Sequence, residues 1–286
     1  MEPSVLRRAV DAAATTAAEL GLDVSDAVAV HNSDRIAVRL DPCDVLARVA
    51  PGAWHDGMAY EAEVARRLAA TDSPIGGLDP RAPDVYDRDG FAITFWTYYE
   101  PVVADHDGPA PEQLGWTSGL APAEYVDALV RLHTGLRQIE LDAPHVTERV
   151  DGWTALVDDR ERTPDLPERD RALLKDTLTA GIAKAGTAEQ LLHGEPHPGN
   201  VLNTSTGPRF IDLGTCQRGP IEYDLAYLPE EVAELYPGAD LDLVHQFRIL
   251  TWAGVAAMRW NRDDQYPDRD RWRVDLLDQL RAGLAR

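Results

Sequence analysis

The stretch LLHGEPHPGNVLNTSTGPRFIDLG, residues 191–214, concentrates the chemistry of this 286-residue chain. Pro196 and Pro198 exclude a helix across its first half, because proline lacks the backbone N–H and clashes with the preceding turn. The apolar runs LLHG, NVLN and RFIDLG read as short strands, and TSTGP (204–208) as the turn of a hairpin over 201–211. That hairpin would bring Asn200 and Asp212 side by side. A side-chain carbonyl and a carboxylate are hard oxygen ligands suited to Mg²⁺. Glu195 stands five residues before Asn200, and Asp212 twelve after it.

Upstream, residues 4–20 have the spacing of an amphipathic helix. Three strand-like runs follow: AVAVH (27–31), RIAVRL (35–40) and DVLARVA (44–50). In the third, Val45, Ala47 and Val49 share one face by period-2 alternation, and Leu46, Arg48 and Ala50 the other. PGAWHDGM reads as a Gly-rich loop and AYEAEVARRLAA (59–70) as a helix. A Pro/Gly/Asp-rich connection leads to the strand FAITFWT (91–97), and about 100–120 reads as linker and loop. Helical spacing then dominates, with Tyr125, Leu129, Leu132 and Leu136 on one face and a further helix over 167–184. The expected class is α+β: a small β-rich N-terminal lobe, 1–97, and a larger, mainly helical lobe, 98–286, joined by a hinge at 97–102. Substrates would bind between them.

Composition narrows the function classes. With 44% apolar and 27% charged residues the chain reads as a soluble globular protein, without repeats or low-complexity tracts. No run approaches the roughly 20 apolar residues of a membrane span, and the N-terminus lacks the apolar core of a secretion signal. Cys43 and Cys216 are far apart and lack metal-ligand spacing, which points to free thiols in a cytoplasmic setting. The net charge of −21 disfavours nucleic acid and anionic membranes and favours the approach of cations. Lysine occurs only at Lys175 and Lys184, so arginine carries the positive charge.

Phosphoryl transfer needs a carboxylate to orient the acceptor hydroxyl, oxygen ligands for Mg²⁺, and a cation on the nucleotide phosphates. Glu195 and Asn200 have the offset of the Asp and Asn in a kinase catalytic loop. HGEPHPGNVL, then FIDLG, then GPIEYDLA, resembles the aminoglycoside phosphotransferase family, whose fold is similar to that of protein kinases. The match is tight over 193–226 and loose over most of the chain. The resemblance implies Glu195 as catalytic base, Asn200 and Asp212 as metal ligands, and ATP or GTP as phosphoryl donor. It implies for Asp224 a buried role, bracing the catalytic loop through hydrogen bonds. This chain departs from the family by carrying glutamate, one methylene longer than the usual aspartate.

The same resemblance asks for a cation on the third strand and a carboxylate on the following helix. Arg48 is the charged residue inside that strand, standing where lysine is commoner. Glu61 shares a helix face with Val64, Ala65 and Leu68 and so points inward, whereas Glu63 aligns with Arg66 and Arg67 as a solvated pair. No GxGxxG precedes the strand pair, so the turn HNSDR (31–35) would cover the phosphates, with Ser33 and backbone amides as donors. Backbone groups near Thr97, Tyr98 and Tyr99 could meet the purine, while Trp96, Tyr98 and Tyr99 individually read as packing. His193 and His197 have zinc-like spacing, but the prolines remove the helix that would align them. His193 reads instead as hydrogen-bonded within its loop, and His133 as a packing residue. No nucleophile elbow of a hydrolase is present.

The expectation is thus a phosphotransferase acting on a hydroxyl of a small, cationic molecule, such as an aminoglycoside or other basic antibiotic. Asp263, Asp264 and Asp268, in NRDDQYPDRD, are candidates to line the acceptor site, and as acids in a turn they also read as solvated. Choline-, homoserine- or sugar-type acceptors fit the same machinery. Should the longer Glu195 abolish transfer, the chain would be a nucleotide-binding pseudoenzyme. Arg48, Glu61, Asn200 and Asp212 are all in place, which argues for a working site.

Overall fold

Residues 2–32, 35–102, 119–183, 190–266 and 268–285 are described by the computed structural model. Their contacts gather into two compact units, residues 1–141 with 198–216, and residues 142–197 with 217–286.

In the first unit helix α1 (Pro3–Glu19) packs on a five-stranded antiparallel sheet. The strands β1 (Val24–Asn32), β2 (Ile36–Pro42), β3 (Val45–Pro51), β4 (Val85–Arg88) and β5 (Phe91–Thr97) lie in the order β1-β2-β3-β5-β4. Alternation decides which face is dry. Ile36, Val38 and Leu40 of β2 and Val45, Ala47 and Val49 of β3 are fully buried, packed with Ala9, Ala12, Ala13 and Ala17 of α1. Small alanines let the helix approach closely, and Arg48 is left on the other face of β3.

Two elements differ from the sequence reading. The connection before FAITFWT contains β4, joined to β5 by the two-residue turn Asp89–Gly90, whose φ angles are +51° and +83°. Asp-Gly with both residues left-handed is a strong hairpin signal. Within PGAWHDGM, residues Gly52–Trp54 form a 3₁₀ turn, and α2 (His55–Leu68) begins before the expected Ala59. Burial of Met58, Glu61, Ala62, Val64, Ala65 and Leu68 along one face offsets the helix cost of Gly57, about 1 kcal/mol. Helix α3 (Pro122–Leu136) buries Tyr125, Leu129, Leu132 and Leu136, with His133 wholly packed among them. The hairpin of β7 (Val201–Thr204) and β8 (Gly207–Phe210) forms where the apolar pattern placed it. Most of the stretch expected as linker, 103–118, lies outside the described residues.

The second unit is mainly helical. It comprises α4 (Val146–Asp158), α5 (Glu168–Ile182), α6 (Ile221–Leu225), α7 (Glu230–Ala233), α8 (Leu241–Arg259) and α9 (Arg269–Leu284), with β6 (Gln190–Leu192) paired to β9 (Gln217–Gly219). Trp153, Leu174, Leu178, Phe247, Leu250 and Leu280 belong to its core. His145 and Glu148 form a reciprocal capping box that fixes the start of α4. No helix among the described residues is long and apolar enough to cross a membrane.

The packing of α4 on α8 depends on a missing side chain. A Cβ on Gly254 would lie 2.2 Å from Trp153 Cε3, so the indole seats directly on the α8 backbone. Gly254→Ala is expected to destabilise the fold by about 1–3 kcal/mol. At Gly152 an added Cβ meets nothing within 4 Å. Gly152→Ala should therefore be neutral or stabilising by up to about 1 kcal/mol, and denaturant unfolding of both variants checks the contrast.

Candidate active site

The first unit assembles four charged side chains, three from residues 35–61 and the fourth from distant Asp212. Arg48 leaves β3 on the face opposite the α1 core, and Glu61 enters from the inner face of α2 with 0% exposure. Arg48 donates through Nη1 to Glu61 Oε1 and through Nη2 to Asp212 Oδ1, the latter at 3.1 Å. Arg35, just before β2, donates from Nη1 to Glu61 Oε2 at 2.8 Å and to Asp212 Oδ1 at 2.9 Å. Two guanidiniums and two carboxylates thus alternate with zero net charge. An unpaired buried carboxylate would cost several kcal/mol, and here each Glu61 oxygen faces a cation. Burial pushes the Glu61 carboxyl up, against the pull of Arg48 and Arg35. Burial pulls the Arg48 guanidinium down, but Glu61 and Asp212 more than offset this and its pKa is raised.

Asp212 sits at the end of the hairpin in a left-handed conformation, φ +63° and ψ +54°, which aspartate tolerates better than most residues. The Ile211 N–H donates to the Asn200 carbonyl at 2.9 Å, so the hairpin brings Asn200 beside Ile211 and Asp212. The Tyr60 hydroxyl donates to the Cys216 carbonyl at 2.7 Å, tying α2 to the 3₁₀ turn Leu213–Thr215 that follows Asp212. Asn200 and Asp212 offer an amide oxygen and a carboxylate. Among the described residues no three His, Cys, Asp or Glu side chains form a metal cage. This donor set fits Mg²⁺, which is commonly held by one or two carboxylates with phosphate and water completing its shell.

At the end of β5 and just after it, two backbone N–H groups are engaged within the unit. The Thr97 N–H donates to the Gly77 carbonyl at 2.9 Å, and the Tyr98 N–H to the Asp44 carbonyl at 3.0 Å. The Tyr98 ring lies under Arg39 at 4.3 Å, and Tyr99 near Arg209 at 5.8 Å. Ser33, expected over the phosphates, lies outside the described residues.

In the second unit Asp224, fully buried on α6, accepts from the His193 and Gly194 N–H groups, each at 2.8 Å. His193 Nδ1 in turn accepts from the Glu195 N–H at 3.3 Å. The loop is thereby held from below, with Gly194 at φ +91° turning the chain. Glu195, about one quarter exposed, is ion-paired with Arg149 of α4. Arg149 also lies 5.4 Å from the Trp153 ring. Burial lowers the Arg149 pKa, but Tyr227, Tyr223 and Glu195 outweigh it and the guanidinium is firmly charged.

Sequence reading missed Arg35 and Arg149. The signal for Arg35 was a second arginine entering the strand next to Arg48. For Arg149 it was a helix aligned on Val146, Val150 and Trp153, one step from which Arg149 reaches the loop. Asp263, Asp264 and Asp268 lie in the turn between α8 and α9. Asp264 is ion-paired with Arg259 at 2.8 Å and is 15% exposed. An open depression of about 580 Å³ there is lined by Arg262, Arg269 and Arg271 against Asp264, Asp268 and Asp270, which balance in charge.

Comparison with known proteins bears on the fold and the family. A profile described as the phosphotransferase enzyme family matches residues 21–273. No curated protein matches. The wild-type aminoglycoside 2′-phosphotransferase-IIIa in its GDP complex aligns with a TM-score of 0.67 at 16% identity, over 99% of each chain. Amicoumacin kinase hAmiN, in complex with AMP-PNP, Ca²⁺ and Ami, aligns at 0.67 and 10% identity over 98% of this chain and 96% of that one. A spectinomycin phosphotransferase with ADP and spectinomycin aligns at 0.64 and 12% identity, over 92% and 94%. The fold is the two-lobed, protein-kinase-like one of these structures, with an N-terminal antiparallel sheet and a larger helical part.

The Asp224 brace is separable from the acid it supports. Asp224→Asn replaces a carboxylate accepting two N–H bonds with an amide that turns a donor toward one of them. A loss of about 1.5–3 kcal/mol in unfolding free energy is expected, the weight of a hydrogen bond to a charged group, and chemical denaturation measures it.

Proposed function

The chain belongs to the phosphotransferase enzyme family, a group of small-molecule kinases with an alcohol group as acceptor, and from that premise we propose how it works and on what. The donor is ATP or GTP, bound by the N-terminal lobe, 1–97, and the acceptor is a small molecule held by the C-terminal lobe, 98–286, with the hinge at 97–102. The observation that carries this reading is the set Arg48–Glu61–Asp212, with Asn200 beside it on the hairpin.

Glu195 acts as base: it orients the acceptor hydroxyl and receives its proton as that oxygen bonds to the γ-phosphorus. The bond from the γ-phosphorus to the bridging oxygen breaks, and the nucleoside diphosphate departs with the electron pair. Arg48, fixed by Glu61, positions the donor phosphates. Asn200 and Asp212 would hold Mg²⁺, which when bound neutralises phosphate charge. His193 and Asp224 keep the loop in shape. Ser33 and the Thr97–Tyr99 segment, less its two committed N–H groups, belong to the donor side of the same proposal.

For the acceptor, the net charge of −21 favours a hydroxylated cation such as an aminoglycoside or another basic antibiotic, with Asp263, Asp264 and Asp268 as candidate ligands. Antibiotic resistance would be the matching role, in the cytoplasm. A second reading, a neutral acceptor of the sugar type, is favoured by the pairing of Glu195 with Arg149 and by the balanced charge between α8 and α9.

The test is a mass-spectrometric screen of the purified protein with Mg²⁺ and ATP or GTP against basic antibiotics, choline, homoserine and sugars. One added phosphoryl group identifies the acceptor class, and no product from any of them counts against the reading. With the acceptor in hand, Glu195→Gln should lower kcat by about 10²–10⁴ with little change in donor KM. Full turnover by that variant would remove Glu195 from the base role. Glu195→Asp withdraws the carboxylate by one methylene and away from Arg149. A displacement of that order is expected to cost about tenfold to 10²-fold in kcat.

A further inference from the structure

Arg35 has no part in the motif pattern, yet it duplicates both contacts of Arg48. Glu61 is divided between the two arginines, Oε1 to Arg48 and Oε2 to Arg35, and both arginines meet again on Asp212 Oδ1. The surroundings are shaped for this second guanidinium. A Cβ on Gly214 would stand 3.1 Å from Arg35 Nη2 and 3.5 Å from Nη1, so the glycine leaves room for it. The Trp54 ring flanks it at 5.8 Å.

Exposure gives the cluster a direction. The Glu61 side chain is 1% exposed, whereas Arg35, Arg48 and Asp212 are 20%, 18% and 30% exposed. Glu61 is the buried anchor, and the two arginines and Asp212 form the open side. Two guanidiniums against one buried carboxylate leave one positive charge that Asp212 answers. When the Asp212 carboxylate serves a divalent cation, that positive charge is left for another anion at the same place.

The geometry points to Arg35 as a second phosphate-binding arginine of the donor site. Arg35 and Arg48, both held by Glu61, grip the polyphosphate of a nucleoside triphosphate together, and Asp212 is their counter-ion in its absence. A planar guanidinium suits this double duty, because its fork can bond the Glu61 carboxylate and a phosphate oxygen at once. The inference rests on the proposal that this unit binds a nucleotide donor.

Calorimetric titration of the full-length protein with ATP, ADP and adenosine, each with Mg²⁺, tests it in wild type, Arg35→Ala and Arg35→Lys. Arg35→Ala should weaken ATP by about ten- to a hundred-fold, the weight of one charge-assisted contact, while adenosine affinity holds. Arg35→Lys, which keeps the charge without the fork, should fall between. Equal losses for ATP and adenosine would mean that Arg35 only braces the unit, and unchanged ATP affinity would remove it from the phosphates. Either result overturns the inference alone, whereas a wild-type protein that binds no nucleotide overturns the donor reading with it. Should Arg35→Ala not fold, the ratio of ATP to adenosine affinity in Arg35→Lys decides.

Discussion

A carboxylate with no access to water organises the first unit. Glu61 is placed by α2 among apolar side chains, where an ionised acid survives only with its charge answered and its oxygens bonded. Its two oxygens take one guanidinium each, from Arg48 on β3 and from Arg35 at the start of β2. Those arginines then reach Asp212 at the end of the β7–β8 hairpin. One buried acid thus ties helix, sheet and hairpin together at the atoms where chemistry is expected. Arginine in place of lysine follows from the same constraint. An ammonium is a compact point charge, whereas a planar fork can bridge two carboxylates across a fixed gap.

The second unit meets the same constraint differently. Asp224 is as buried as Glu61, but its oxygens are satisfied by the backbone N–H groups of His193 and Gly194. Hydrogen bonds to backbone fix a conformation; ion pairs to long side chains allow rearrangement. The two acids therefore suit different tasks, Asp224 holding a loop rigid and Glu61 holding cations that a ligand can recruit. Glu195 combines both environments, with its N–H on His193 and its carboxylate on Arg149. The extra methylene of glutamate in this loop is matched by Arg149 from α4, so the two residues form a paired arrangement.

Much of this was legible in the sequence because it depends on periodicity and spacing. The dry face of β2 and β3 follows from alternation, Glu61 rather than Glu63 from helical phase, and the neighbourhood of Asn200 and Ile211 from the hairpin whose turn falls within TSTGP. Arg35 and Arg149 were illegible for a common reason. Their roles arise from pairings 177 and 46 residues apart, Arg35 with Asp212 and Arg149 with Glu195, and no local pattern encodes such a distance. The strand β4 was a different kind of miss, since Asp89–Gly90 announces a hairpin and the surrounding prolines drew the reading toward a loop. The committed N–H groups of Thr97 and Tyr98 could not be foreseen either, because their acceptors, Gly77 and Asp44, belong to loops without a periodic signal.

The distribution of charge bears most directly on what the chain can recognise. The net charge is −21, yet several acids are answered by arginines within their own unit: Glu61 and Asp212 by Arg35 and Arg48, Glu195 by Arg149, Asp264 by Arg259. The excess acid therefore resides mainly on side chains outside these pairs, in water. There, interactions beyond a Debye length of about 8 Å at physiological salt are largely screened. Such a field can raise the encounter rate of a cation without contributing to the contacts that hold it. Overall acidity consequently speaks to approach, and the local pairs speak to fit. A cationic acceptor would have to draw on carboxylates not already paired, while a neutral polyol would need only the oriented oxygens of Glu195 and its neighbours. Charge at the scale of the whole chain and charge at the scale of the local pairs thus favour different acceptors, the former through approach and the latter through fit.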